Sequence, residues 1–179
     1  MAYGKSQRLR PKRRRQGKTD SHRRLRLLRS GAPRAVVRVS NTQVICQLVS
    51  YNPSGDAILH SVNGKSLTDS YSWPEDASKK SIPACYVAGY ALGKKAISAG
   101  NHEAVLDIGL AASSPGSRVF SALKGMIDAG LDIPHGTSVL PGEDRLNGKH
   151  IDDSLSSSMK ASIEAICLLY TSDAADDLL

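Results

Sequence analysis

Ten arginines and three lysines fall within residues 1–34, against one acid, Asp20. The densest stretch reads Arg13-Arg14-Arg15-Gln16-Gly17-Lys18-Thr19-Asp20, followed by Arg23, Arg24, Arg26 and Arg34. Such a cluster is suited to neutralising phosphate, because a guanidinium offers paired donors to phosphate oxygens and does not lose its charge. A tail that only solvates has no need of this excess of arginine over lysine, and a lipid anchor calls for interleaved aromatic or leucine side chains. Nucleic acid is the favoured partner, RNA ahead of DNA. The chain has only eight aromatic residues, and readers of single strands stack bases on exposed aromatics, so contact with folded RNA through backbone and shape is expected. Arg38 and the turn at Ser40-Asn41 can add polar contacts. The loop Ser113-Ser114-Pro115-Gly116-Ser117-Arg118 precedes a predicted helix whose first amides lack intrahelical partners, and it reads equally as a phosphate seat or a plain cap.

Enzyme chemistry finds little support. Gly89-Tyr90-Ala91-Leu92-Gly93-Lys94-Lys95 resembles a P-loop, but it has three residues between the glycines instead of four and no Ser/Thr after the lysine. His60, His102, His135 and His150 lack metal-ligand spacing. Asp107, with Asp128 and Asp132, is the one carboxylate set that could hold a metal for phosphodiester cleavage. A metal-dependent nuclease using Asp107 and Asp128 is therefore the competing reading, ranked below a hydrogen-bonded strand-end acid and two helix-terminal ones. No cofactor, metal or small-molecule substrate is expected.

These residues must be held by elements that the pattern of the chain implies. The 179 residues carry a net charge of +7, yet residues 1–34 alone carry +12 and the remainder −5. The chain is thus a mildly acidic body with a cationic arm, of a size for one domain plus extensions. No apolar run reaches the ~18 residues of a membrane span, and three widely spaced cysteines suggest a reducing compartment. Residues 1–19 have nothing to bury and are expected to lack fixed structure alone in water. A short helix then starts at Asp20 or Ser21, with Leu25 and Leu28 on one side and Gly31 as its stop. Arg34–Ser40, Gln43–Val49 and Ala57–Val62 predict an antiparallel meander, and residues 63–80 a polar, turn-rich loop. Ser81–Ala99 predicts a helix whose Ala and Gly content suits packing on a sheet, and Ala104–Leu110 a buried strand parallel to the third. Ser117–Ala129 predicts a second helix, residues 131–150 an aperiodic tail, and Asp152-Asp153-Ser154 the cap of a last helix through Ile166. The fold class is α/β, a mixed sheet packed with helices. Residues 1–34 form the arm, 35–133 the body and 134–166 a C-terminal extension.

Several blocks together resemble the ribosomal protein L eighteen family, whose eukaryotic relative is called L five. They are the arm from Arg13 to Asp20, then Arg24-Leu25-Arg26-Leu27-Leu28 and Pro33-Arg34-Ala35-Val36-Val37-Arg38-Val39-Ser40-Asn41. The likeness continues in Ala104–Leu110, in Gly116–Gly125, in Asp128–His135 and from Glu143 to Ile151, the last block resembling the archaeal type. The resemblance implies an outline similar to ribonuclease H without nuclease activity. It implies a cytoplasmic, ribosomal, non-catalytic protein that helps fix 5S ribosomal RNA in the central protuberance, beside large-subunit RNA and neighbouring ribosomal proteins, with no membrane partner. With the resemblance favouring RNA contact at the Ser113–Arg118 loop, the residues expected to bind RNA are Arg13, Arg14, Arg15, Lys18, Thr19, Arg23, Arg24, Arg26, Arg34, Arg38, Ser40, Asn41, Ser114, Gly116, Ser117 and Arg118. The chain departs from the family pattern at Ser21, where an aromatic residue usually follows the Thr-Asp pair, and over residues 63–80.

The stretch Cys167-Leu168-Leu169-Tyr170-Thr171-Ser172-Asp173-Ala174-Ala175-Asp176 resembles an in-frame translation of a sequencing-library adapter. The native sequence is expected to diverge near Cys167, and residues 171–179 to make no packed contacts.

Overall fold

The computed structural model describes residues 9, 10 and 12–176, and for residues 171–176 the backbone alone. Strand β1 (Arg34–Val39) turns through Ser40 into β2 (Val44–Ser50), and β3 (Ala57–Asn63) completes the meander. The first turn is locked locally: the Ser40 hydroxyl accepts from the Gln43 amide at 3.0 Å and donates to the Gln43 carbonyl at 2.8 Å. A fourth strand, β4 (Val105–Asp107), lies parallel to β1, giving the order β3-β2-β1-β4. Alternation assigns the faces. Ala35 and Val37 of β1 and Val44, Cys46 and Leu48 of β2 are fully buried, while Arg34, Val36 and Arg38 point to the other side.

Helix α4 (Ile82–Ser98) packs on the buried face, and α5 (Arg118–Asp128) packs on α4. The expectation that the glycines of α4 serve the sheet is corrected here: they serve α5. A Cβ on Gly89 would collide with the Ala122 carbonyl, one on Gly93 would sit 2.6 Å from the Ala129 Cβ, and one on Gly125 would collide with the Tyr86 carbonyl. The two helix backbones therefore touch, and only glycine permits that approach. Ser121 fixes the register by donating its buried hydroxyl to the Ile82 carbonyl at 2.7 Å. The connection from β3 through α4 to β4 joins strands that run in the same direction, as expected.

Several local expectations are corrected. Within the polar 63–80 segment lies a helix, α3 (Gly64–Ser70), capped by Asn63 accepting from the Ser66 amide at 2.9 Å; its buried side chain is Leu67 alone, so no apolar period announces it. Strand β4 stops at Asp107 because the carboxylate accepts from the Gly109 amide at 2.8 Å and Gly109 takes a φ of +62°, a turn open to glycine at little cost. The 131–150 stretch contains a 3-10 turn (Thr137–Val139) and a short helix, α6 (Glu143–Leu146). The last helix, α7 (Ser154–Asp176), buries Leu155, Met159 and Ile166 against the core and continues beyond Ile166. There Cys167 Sγ lies 3.3 Å from the Tyr90 hydroxyl and the Tyr170 hydroxyl 3.0 Å from that of Tyr71. The side chains of residues 171–179 lie outside the described residues.

Candidate nucleic-acid interface

The polar face of the sheet is organised around two carboxylates. Parallel pairing sets Asp107 beside Val36, on the same side as Arg34 and Arg38. Arg34 Nη1 donates to Asp107 Oδ2 at 2.8 Å, and Arg38 Nη2 donates to Oδ1 at 2.9 Å. A buried charge must be paired to persist, and Arg34, with its side chain 4% exposed, is paired twice: its Nη2 reaches Asp56 Oδ2 at 2.6 Å. Asp56, at the start of β3, also accepts from Arg24, whose Nη2 donates to both carboxylate oxygens at 2.8 and 2.9 Å. Burial alone would raise the Asp107 carboxyl pKa; the hydrogen bond and charge of Arg38, the Gly109 amide and Arg34 outweigh it and hold the group below the ordinary carboxylate value. Asp56 is likewise lowered, its burial outweighed by Arg24 and Arg34.

This network docks the arm. Helix α2 (Ser21–Leu28) is capped by Asp20, whose carboxylate accepts from the amides of His22 and Arg23 at 3.0 Å each. Its Arg24 meets Asp56 and its Arg23 donates to the Gly109 carbonyl at 2.7 Å. The side toward the body is Arg24, Leu27 and Leu28, a correction to the expected pair Leu25 and Leu28, since Leu25 is 57% exposed. Lys12–Arg15, expected to lack fixed structure, forms a helical turn, α1, with Gly17 at φ +64° beyond it. Arg13 Nε donates to the Thr19 hydroxyl at 2.6 Å, and Arg14 lies 3.3 Å from the His22 ring nitrogen. The physical reason is polar: Thr19 and His22 supply partners to this turn where no apolar ones exist, and Arg23 and Arg24 anchor the following helix to the Gly109 carbonyl and Asp56. The rest of that expectation, for residues 1–8 and 11, lies outside the described residues.

The expected RNA residues fall into three placements. Arg13, Arg14, Arg15, Lys18, Arg23 and Arg26 are exposed on the arm with Thr19 half-buried, and Arg13, Lys18, Thr19, Arg23, Arg24 and Arg38 line one cleft between arm and sheet. Ser114, Ser117 and Arg118 share a second groove with Arg38, and Gly116 turns the chain at φ +69° just before α5. Ser40 and Asn41 are exposed at the β1–β2 turn, where the Ser40 hydroxyl is engaged locally and Lys80 Nζ donates to the Asn41 carbonyl at 2.6 Å. Arg34 is the exception: it is buried, and its guanidinium is committed to Asp107 and Asp56, so it positions the surface without presenting a face to it. Asp107 is the hydrogen-bonded strand-end acid that was expected; what sequence reasoning missed is Asp56 and the pairing of both acids with Arg34. An acid inside the apolar run Ala104–Leu110 was the available signal, since it demands a buried cation, and Arg34 in β1 is that cation.

The carboxylates of the competing nuclease reading are engaged separately. Asp107 faces two arginines, and Asp128 accepts from Lys124 at 2.7 Å and from the Tyr86 hydroxyl at 3.0 Å. Among the described residues no group of three or more His, Cys, Asp or Glu side chains is placed to hold a metal ion. No helix among them is long and apolar enough to cross a membrane.

The sequence that builds this α/β body and its cationic arm matches a class of ribosomal proteins. The profile described as "Ribosomal large subunit proteins 60S L5, and 50S L18" matches residues 5–101 and 95–136. Large ribosomal subunit protein uL18 of Methanoculleus marisnigri is 45% identical over 160 residues, covering 88% of this chain and 90% of the relative. The uL18 of Halobacterium salinarum is 48% identical over 151 residues, covering 84% and 81%. That of Korarchaeum cryptofilum is 46% identical over 140 residues, covering 78% and 70%. The chain belongs to this family of large-subunit ribosomal proteins, as an archaeal uL18-type member.

Proposed function

We propose that this protein is a non-catalytic structural constituent of the large ribosomal subunit that binds 5S ribosomal RNA and helps fix it in the central protuberance. Within the ribosome it then also lies against large-subunit RNA and neighbouring proteins. The observation that carries the reading, beside family membership, is the gathering of exposed arm cations with Arg38 over one cleft. Arg13, Arg14, Arg15, Lys18, Arg23 and Arg26 would neutralise backbone phosphates, and Arg38 would extend that surface along the sheet. Arg34, Asp56 and Asp107 would hold the arm in register with the sheet. A gel shift of the full chain with 5S RNA and with an unrelated RNA of equal length tests the reading. Preference for 5S RNA at physiological salt is expected; equal affinity for both would overturn it.

A further inference from the structure

Beyond the start of α5 lies another groove with a basic lining. Lys80, Arg118, Arg145 and His150 line it together with Ser81 and Ser117, and no acidic side chain is among the described residues that do so. Arg118, Arg145 and His150 are exposed, and Lys80, half-buried, spends one donor on the Asn41 carbonyl. Asp144, next to Arg145, is turned to Lys149 at 3.5 Å. Two helices open on the same groove: α4 through its cap Ser81 and α5 through Ser117. Ser117 makes no side-chain cap hydrogen bond, and its buried hydroxyl has no partner. The first amides of α5 are therefore uncapped donors in a positive field.

Shared lining residues link this groove stepwise to the arm. Ser117 and Arg118 line both it and the groove of Arg38, and Arg38 in turn lines the cleft beneath the arm. We infer that a backbone phosphate of bound RNA occupies this groove, held by Lys80, Arg145 and the first amides of α5, so that the RNA path runs from the arm to the C-terminal extension. The inference rests on the reading that the chain binds RNA through its arm. Guanidinium, ammonium and uncapped amides suit a phosphate run that has already met Arg38, and this stepwise link favours RNA over an acidic peptide.

The test uses the full chain and the double variant Lys80→Ala/Arg145→Ala, with circular dichroism to show that the fold is kept. Loss of two phosphate contacts should weaken 5S RNA binding about tenfold and lower the slope of log K against log salt by about 1.5. Inorganic phosphate should shift the Arg118 and Val119 amide resonances in the wild type, and less in the variant. Wild-type affinity and slope in a folded variant, with binding still weakened by arm substitutions, would overturn the groove and leave the proposed function standing. If the wild type fails to prefer 5S RNA while phosphate still shifts those amides, the proposed function falls and the anion seat stands. Preferential binding of a polyglutamate peptide at these amides would assign the groove to an acidic protein and overturn the inference.

Discussion

Arg34 and Asp107 face each other across the parallel pair β1–β4, Nη1 to Oδ2 at 2.8 Å, both almost removed from solvent. Taking away the acid leaves a buried cation with half its partners. Asp107→Ala should therefore cost about 3 kcal/mol, since breaking a buried pair penalises the group left behind, with the surviving Asp56 contact keeping it near the low end. Chemical denaturation of the folded variant measures it; a loss below about 1 kcal/mol would mean that the pair contributes little.

Acid should expose the same network. The carboxyl pKa values of Asp56 and Asp107 are lower in the folded protein than their ordinary value, so below that value the unfolded chain takes up protons first. The stability they contribute is complete above about pH 4 and is lost as pH falls through the lower, folded pKa values. Thermal unfolding followed from pH 6 to pH 2.5 should show a decline that is shallower in Asp107→Asn, which starts from a lower Tm.

Gly89→Ala should be among the most damaging single-methyl additions in the chain. The added carbon meets the Ala122 carbonyl, backbone that cannot rotate away. Separating α4 from α5 should cost about 3 kcal/mol or prevent folding, whereas Gly142→Ala, where nothing lies within 4 Å, should change stability by less than about 1 kcal/mol. Paired urea titrations decide it.

Replacing Arg13, Arg14 and Arg15 together with alanine should weaken RNA binding and lower the salt slope by about two to three units, because three of the proposed phosphate contacts would be removed. These side chains are exposed and α1 buries none of them, so folding should be unaffected. Unchanged affinity and slope would make the arm a bystander.

The meander, α4, α5 and the cationic arm were legible because each rests on a signal that repeats along the chain: alternation in Gln43–Val49, helical spacing in Val119–Met126, charge density in Arg13–Arg15. Elements set by single polar contacts were not. Helix α3 depends on the Asn63 cap and one buried leucine, and the end of β4 on one carboxylate–amide bond at Gly109. The candidate surface was legible as residue types but not as pairings. Nothing local in Arg24, Arg34 or Arg38 distinguishes an arginine held by an aspartate from one left open, and Asp56 lies 32 positions from Arg24.

If the chain binds RNA as proposed, ionic attachment of the arm sets how that binding responds to electrolyte. Arg24 and Arg38 already hold carboxylate oxygens before any polyanion arrives. For them, meeting a phosphate is an exchange of one oxyanion for another, with the displaced aspartate left to Arg34 and its charge less fully balanced. Each such swap changes the ion inventory less than does an open arginine meeting a phosphate. The apparent valence of the interaction will therefore undercount the guanidinium groups in it, and Arg24 and Arg38 will register in geometry and dissociation rate more than in salt sensitivity.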